Sequence, residues 1–304
     1  MSKIEWTNET WNIITGCKKI SEGCRNCYAA TMHKRLTAMG QEKYKFPFEN
    51  IVFHYDELAR VFKGKHKMVF VNSMSDTFNE KISGEQITKI LAACGAQPQH
   101  EFQILTKRAE RLPGFSYPDN VWLGVTVEKA QHKNRIDYLR QTNAKIKFLS
   151  CEPLLDDLGD LDLEGIHWVI AGGESGKNAR PCNPQWVRNI QKQCKKAGVP
   201  FFFKQWGEWL PAELNKWNKQ PRYMYFVPDN KNAIRLVVMP FEYIKKNYMY
   251  YIWQSFEYIP KSHNLYGCAE TISLKMGKTK SGCLLDGKLY REMPLMATVE
   301  VNIV

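Results

Sequence analysis

Trp168-Val-Ile-Ala-Gly-Gly-Glu-Ser175 carries the reading of the fold: an apolar run with no polar alternation, closed by two glycines and a polar turn. Met68-Val-Phe-Val71 repeats the pattern and runs into Asn72-Ser-Met-Ser-Asp76. Runs of this kind suit strands of a parallel sheet that is covered on both faces. Working outward from them, strands are expected at Trp11–Thr15, Ile51–His54, Phe102–Thr106, Val121–Val127, Lys145–Ser150 and Pro200–Lys204. Ile51–His54 is the odd member, readable as an excursion off the main sheet.

Helical patterns fill the gaps. Ser83 and Gln86 form a capping box ahead of Ile87-Thr-Lys-Ile-Leu,. Asn183 as N-cap, Pro184 at the first helical position and Gly198 past the end bracket a second helix,. Repeated strand–helix units imply right-handed crossovers and an α/β fold, a partial or full (β/α) barrel, with a doubly wound open sheet as the rival. Six strand ends carry polar residues: Asn72–Asp76, Thr106–Arg108, Thr126–Glu128, Ser150–Pro153, Gly172–Ser175 and Lys204–Trp206. In parallel α/β folds a site gathers at that edge.

Composition divides the chain into a barrel over 1–211, a divergent insertion or small subdomain over 212–266, and a C-terminal segment over 267–304 that packs back on the barrel. The middle part is rich in Lys, Tyr, Asn and Trp, as in Lys245-Lys-Asn-Tyr-Met-Tyr-Tyr-Ile-Trp253. Such a stretch reads as a cation–aromatic binding surface or as an amphipathic packing segment.

The 304 residues include 43 Lys and Arg against 31 Asp and Glu, a net charge of +12. That balance favours an anionic partner, nucleic acid first. No apolar stretch reaches the roughly 20 residues of a membrane helix, so no membrane partner is expected. Met1-Ser-Lys-Ile-Glu-Trp6 lacks the apolar core of a signal peptide,. With nine cysteines in the chain, the reading is a reducing, cytoplasmic protein in which some thiols have metal or redox roles,.

Cys17-Lys-Lys-Ile-Ser-Glu-Gly-Cys24-Arg-Asn-Cys27 is the sharpest chemical signal. It follows the first strand and precedes a helix that begins near Tyr28. Gly16 and Gly23 give the loop the freedom to wrap a metal. Three soft thiolates fit a [4Fe–4S] cluster with one iron left for a small ligand. Zinc with a fourth, distant ligand is the rival, and His33 lies nearby. Cys94 and Cys194 read as small core residues. Cys151 stands at a strand end beside Glu152, with a site role or a packing role open. Cys182, Cys268 and Cys283 have no telling spacing.

The residues also carry a family resemblance. Ser2-Lys-Ile-Glu-Trp-Thr7, Gly23-Cys-Arg-Asn-Cys-Tyr-Ala29, Asn72-Ser-Met-Ser-Asp-Thr-Phe78, Phe148-Leu-Ser-Cys-Glu-Pro153 and Phe201-Phe-Phe-Lys-Gln-Trp-Gly207 resemble a phage-associated three-cysteine family of unknown function. The likeness covers most of the chain outside about 212–266. That family is similar in turn to the spore-photoproduct-lyase branch of radical S-adenosylmethionine proteins, which share Cys-Tyr-Ala after the last cysteine.

The resemblance implies a barrel of radical S-adenosylmethionine type, a [4Fe–4S] cluster on Cys17, Cys24 and Cys27, and S-adenosylmethionine on the unique iron. It also implies an external electron donor and admits a separately encoded partner protein. The superfamily spacing is Cys-x3-Cys-x2-Cys, whereas the first gap here is six residues. The longer gap bears on S-adenosylmethionine cleavage more than on the cluster.

On that footing Tyr28, Asn72, Ser73, Ser75, Asp76, Thr106 and Lys107 are candidates to hold the cofactor's amino group, ribose and carboxylate. Gly172 and Gly173 allow close approach, and Glu174 offers an acceptor. Arg108, Lys204, Gln205 and Trp206 are candidates for substrate, Trp206 as a stacking platform. Glu152 and Cys151 are the catalytic candidates, with a strand-ending turn the other reading of Glu152-Pro153. The expected function is radical modification or repair of nucleic acid or a nucleotide. A zinc- or cluster-stabilised nucleic-acid-binding module without catalysis is the second reading, and a nuclease or phosphoesterase built from Asp76, Glu152, Glu174 and Asp286 the third.

Overall fold

The computed structural model describes residues 4–215, 222–228, 234–240, 250–255, 269–275 and 283–294. Seven parallel strands form the main sheet: β1 (Glu9–Trp11), β4 (Met68–Val71), β5 (Glu101–Thr106), β6 (Val121–Thr126), β7 (Ile146–Cys151), β8 (Trp168–Gly172) and β9 (Phe201–Gln205). They lie side by side in sequence order, each new strand added at the same edge. A doubly wound sheet reverses that order at a switch point, and none occurs here. The sheet is a curled half-barrel.

The expected strand Trp11–Thr15 is in fact two. β1 ends at Trp11, and β2 (Ile14–Thr15) turns away to pair antiparallel with β3 (Val52–Phe53). Asn72 makes the split. Its N–H donates to Trp11 O at 2.7 Å, while its side-chain oxygen accepts from Ile14 N at 2.9 Å. It adopts φ 58°, a left-handed conformation that asparagine tolerates better than most residues,. The Ile51–His54 excursion therefore stands off the barrel, as its pattern suggested.

The helices are α1 (Tyr28–Ala38), α2 (Gly84–Gly95), α3 (Asn134–Arg140) and α4 (Pro184–Ala197). The Ser83–Gln86 capping box forms on α2. On α4, Asn183 caps, Pro184 opens and Gly198 closes in the left-handed region. Ile87, Ile90, Leu91 and Cys94 of α2 and Val187, Ile190 and Cys194 of α4 join Val69, Ile104, Leu123, Leu149 and Val169 of the strands in one core. Cys151 and Cys182 are buried there too, and burial pushes their thiols up.

The other face of the sheet is a second, aromatic cluster. Across the strands, Phe70, Gln103, Trp122 and Ile146 make one row, Leu105, Gly124, Phe148 and Trp168 the next, and Thr126, Ser150, Ile170 and Phe202 the third. Trp6 plugs this end, edge-on to Phe70 and Trp168 with ring centroids 4.8 and 6.1 Å apart. Gly124 is required because a Cβ would lie 2.4 Å from the Phe148 ring. Polarity thus rises along the strands toward their carboxyl ends.

A five-stranded antiparallel sheet follows: β10 (Trp209–Asn215), β11 (Arg222–Pro228), β12 (Ile234–Pro240), β13 (Tyr250–Ser255) and β14 (Ala269–Lys275), in the order β12-β11-β10-β14-β13. Of the cation–aromatic stretch 244–253, residues up to 249 lie outside the described residues, as does Cys268. A hairpin of β15 (Leu284–Leu285) and β16 (Lys288–Leu289) leads the chain back along β9, where Phe202 and Arg291 pair antiparallel. Trp168 Nε1 donates to Glu292 O at 2.9 Å. Among the described residues no helix is long and apolar enough to cross a membrane.

Candidate metal centre

Residues 16–28 cross the carboxyl ends of the parallel strands, and buried side chains from four strand ends hold them there. The loop opens at Gly16, whose φ of +83° and a Cβ site 2.2 Å from Asn50 O admit only glycine. Ser75 donates to Gly16 O, and Cys17 N to Phe48 O at 2.8 Å.

After β5, Arg108 reaches into the loop. It donates to Lys18 O at 3.0 Å and stands 4.0 Å from the Cys17 sulfur. Asp76 and Glu80 fix it, at 3.0 and 2.9 Å. Asp76 is itself saturated, accepting from Thr106 Oγ1, Lys107 N and Phe78 N.

Beyond β6, Glu128 is fully buried and accepts from Ser21 Oγ and from Arg135 Nη1 at 2.7 Å. Burial works to raise its carboxyl, but Lys107 and Arg135 outweigh that and hold it below the ordinary glutamate range. Gly23 lies against it, where a Cβ would come within 3.0 Å.

Beyond β8, Glu174 accepts from Asn26 Nδ2 at 3.0 Å and takes Arg180 through Nε at 2.9 Å and Nη2 at 2.6 Å. Its carboxyl is also lowered, burial being outweighed by the Arg180 hydrogen bonds. Arg180 then donates to Glu22 O at 2.9 Å. At the loop's exit the Tyr28 hydroxyl donates to Ser73 O, after β4.

Many of the residues singled out in the sequence meet here, though their polar atoms hold the protein's own chain. Asn72 serves Ile14 and Thr77, and Ser73 donates to Asn12 Oδ1 at 3.0 Å. Gly173 must be glycine, because a Cβ would sit 2.0 Å from Trp206 O. Gln205 donates to Gly173 O at 3.2 Å. Trp206 is buried in the core with its N–H on Leu284 O at 2.8 Å, away from any stacking position. Asp286 pairs with Arg188 on the hairpin side and is not grouped with Asp76 or Glu152.

Three groups keep spare capacity. The Lys107 ammonium makes no hydrogen bond or ion pair among the described residues and acts through space on Cys24 and Glu128. Glu152 and Lys204, at the ends of β7 and β9, stand side by side at 3.2 Å, 13% and 19% exposed. Gly172 makes room for them, since a Cβ there would lie 2.5 Å from Glu152 Oε1.

Pattern reading overlooked Ser21, Asn26, Arg135 and Arg180, and named Glu128 only within the polar strand end Thr126–Glu128. Glu128 alone carried a signal, an acid one step beyond the buried run Val121–Val127.

The three thiols are free and half-buried. Burial, with the Asp76 charge, pushes the Cys17 thiol up to about 12. For Cys24 burial acts upward as well, but the Lys107 charge and hydrogen bonds from Ile20 and Ser21 bring the thiol below its ordinary value. Two of the sulfurs turn to local partners, Cys17 to Lys18 O at 3.6 Å and Cys24 to Ser21 Oγ at 3.7 Å. As placed, no group of three or more Cys, His, Asp or Glu side chains forms a metal-ligand set among the described residues.

The donor chemistry nonetheless suits a thiolate-held centre. Cys24 and Cys27 both act on the charge of Cys17, and cations flank them. Sulfur positions follow χ1, which rotates among staggered wells, while the backbone beneath is clamped.

A family model described as "Protein of unknown function (DUF5131)" matches residues 1–294. No curated protein and no solved structure matches.

Proposed function

We propose, for a chain that belongs to the DUF5131 family of unknown function, that the loop over the strand ends carries a [4Fe–4S] cluster on Cys17, Cys24 and Cys27. The protein is then an enzyme of radical S-adenosylmethionine type. One observation carries the reading: the cysteine loop is pinned across the carboxyl ends of parallel strands through three acidic side chains, Asp76 by way of Arg108, Glu128 and Glu174. A surface loop without a function would not draw three carboxylates out of water.

The six-residue gap is part of this design. Lys18 O is bound by Arg108, Ser21 by Glu128, and Glu22 by Lys129 at 2.7 Å and by Arg180. The extra residues follow a path fixed at three points between Cys17 and Cys24.

Cys17, Cys24 and Cys27 would hold the [4Fe–4S] cluster, which when bound would offer one-electron reduction of the sulfonium of S-adenosylmethionine, and the protein's part is to bind, orient and shield. Lys107 offers its ammonium to a carboxylate or phosphate beside Cys24. Glu152 and Lys204 present an acceptor and a donor on the same face, able to take the edge of a planar polar substrate such as a nucleobase. The aromatic floor beneath them excludes water. The charge of +12 favours nucleic acid or a nucleotide as substrate,.

Anaerobic purification tests the reading. A brown protein with about four irons per chain and a shoulder near ~400 nm is expected. Reduction in the presence of S-adenosylmethionine should then release 5′-deoxyadenosine, and Cys24→Ala should abolish both signals. A colourless protein holding zinc would refute the cluster.

A further inference from the structure

We infer that Glu152 and Lys204 form a recognition pair for the amino–oxo edge of a guanine base. The inference deepens the reading above and rests on its placing the substrate at this face. Thr126, Ser150, Ile170 and Phe202 line up across β6 to β9 on the aromatic side of the sheet. Side chains two residues apart on a strand share a face, so Glu152, Gly172 and Lys204 make the next row toward the carboxyl ends. The ladder shifts register beside Gly172, and the 3.2 Å contact shows that Lys204 still reaches across to Glu152.

That row is a poor place for an ion pair whose only task is support. One step below it Ile170 and Phe202 are buried and close the face with apolar packing. An apolar pair would close the upper row as well, without taking two charges out of water. The strand between the charges is bare: a Cβ on Gly172 would lie 2.5 Å from Glu152 Oε1. The carboxylate therefore lies over backbone rather than against a third side chain. Glu152 and Cys27 both act through space on the Tyr28 hydroxyl, so the pair stands within electrostatic reach of the residue that follows the third thiol.

The distances say what the pair can take. Lys204 Nζ is 3.2 Å from one carboxylate oxygen and 3.3 Å from the other. It straddles the carboxylate, in the place where a ligand with two adjacent N–H groups would bind. An ionised carboxylate only accepts and an ammonium only donates. A ligand that parts them must give two donors side by side to Glu152 and an acceptor next to them to Lys204. The flexible lysine stem can swing to meet that acceptor.

Guanine carries this set in order along one edge: the amino N–H, the ring N–H and the carbonyl. Adenine and cytosine place an amino group beside a ring acceptor. Uracil and thymine place a single N–H between two carbonyls. Each of these sets one carboxylate oxygen against an acceptor. A charged group left without its partner is what rejects the wrong base.

Titration calorimetry of the full chain with nucleoside monophosphates tests the pair, in protein prepared with and without metal. GMP should bind at least about tenfold more tightly than IMP, which lacks the amino group, and than AMP, CMP or UMP. Glu152→Gln turns one acceptor into a donor and should erase the difference between GMP and IMP. Lys204→Met should weaken GMP and IMP alike and leave their ratio standing, because both bases carry the carbonyl. The wild-type ratio does not depend on any variant folding. GMP no tighter than IMP, or no nucleotide bound, overturns the pair. A preference for GMP that survives Glu152→Gln puts guanine elsewhere and overturns it equally. Pterin has the same edge without sugar or phosphate, and tighter binding of pterin than of GMP overturns guanine as the ligand. Base selectivity is read without iron, so a chain that holds no cluster refutes the radical reading while the pair is decided on its own.

Discussion

The two ends of the half-barrel are built from the same strands by opposite means. At the floor, inward positions are Phe70, Trp122, Phe148, Trp168 and Phe202, and Trp6 closes them with ring-edge contacts. At the carboxyl ends the chain is held by Asp76, Glu128 and Glu174, each buried and each answered by an arginine. Apolar packing is non-directional and tolerant, whereas a buried carboxylate is costly unless every partner is in place. The floor therefore supplies stability, and the other end places thiols with fixed geometry. The difference teaches where each kind of lesion should be felt.

The largest effect is expected at the floor. Trp168 is fully buried against four aromatic rings. Trp168→Ala should cost about 3–5 kcal/mol of unfolding free energy, read by urea titration. Metal bound per folded chain should be unchanged. Cys24→Ala should do the reverse, removing metal while leaving the unfolding free energy of the metal-free protein within about 0.5 kcal/mol of wild type. Loss of stability with the cysteine, or loss of metal with the tryptophan, would erase the division of labour.

Next comes a carboxylate at the strand ends. Glu128→Gln keeps the volume but leaves Arg135 facing a neutral amide at 0% exposure. Breaking one partner of a buried pair costs about 3 kcal/mol. Hydrogen exchange should show that loss first in residues 17–24, with the floor strands still protected. Uniform loss across the sheet would mean that Glu128 supports the fold rather than the loop.

How much of this contrast the sequence discloses follows from the range of each interaction. Met68–Val71 and Trp168–Ala171 announce buried strands because apolar runs and caps are local signals, and Ser83 with Gln86 or Asn183 with Pro184 place helix starts to the residue. The three cysteines are legible for the same reason. What the thirteen-residue loop rests on is not local: Ser21 meets Glu128 across 107 residues of chain and Asn26 meets Glu174 across 148. Polar strand ends look alike in sequence whether they face a ligand or hold a loop. Asp76, Thr106 and Glu174 read as ligand-facing and are spent on the chain, while Trp206 reads as a platform and is core. Lys107, Glu152 and Lys204 are the candidates whose heads remain available.

Acid should reveal the contrast more gently. Glu128 and Glu174 both have folded-state carboxyls held low, so their contribution is complete above the ordinary glutamate value of about 4.3 and is lost as pH falls through and below it,. The floor has no such group among its aromatic rows. Exchange protection of the loop amides should fall between pH 5 and about 3 before that of Phe70 or Ile170. Simultaneous loss would place the acid-sensitive groups elsewhere.

The smallest effect separates two thiols of one loop. Cys17 sits by Arg108, but burial and the Asp76 carboxylate dominate and keep it protonated up to about 12. Cys24 has Lys107 in view and hydrogen-bond donors from Ile20 and Ser21, so it ionises below its usual value. Thiolate, not thiol, is alkylated. In metal-free protein at pH 8, iodoacetamide should modify Cys24 before Cys17, by about tenfold or more in rate, as read by peptide mass spectrometry. Lys107→Met should slow Cys24 and leave Cys17 nearly untouched, because the ammonium acts on the first thiol while the second answers to Asp76. Equal rates in wild type would mean that the strand-end charges do not reach the thiols, and the polar end would then be scaffold alone.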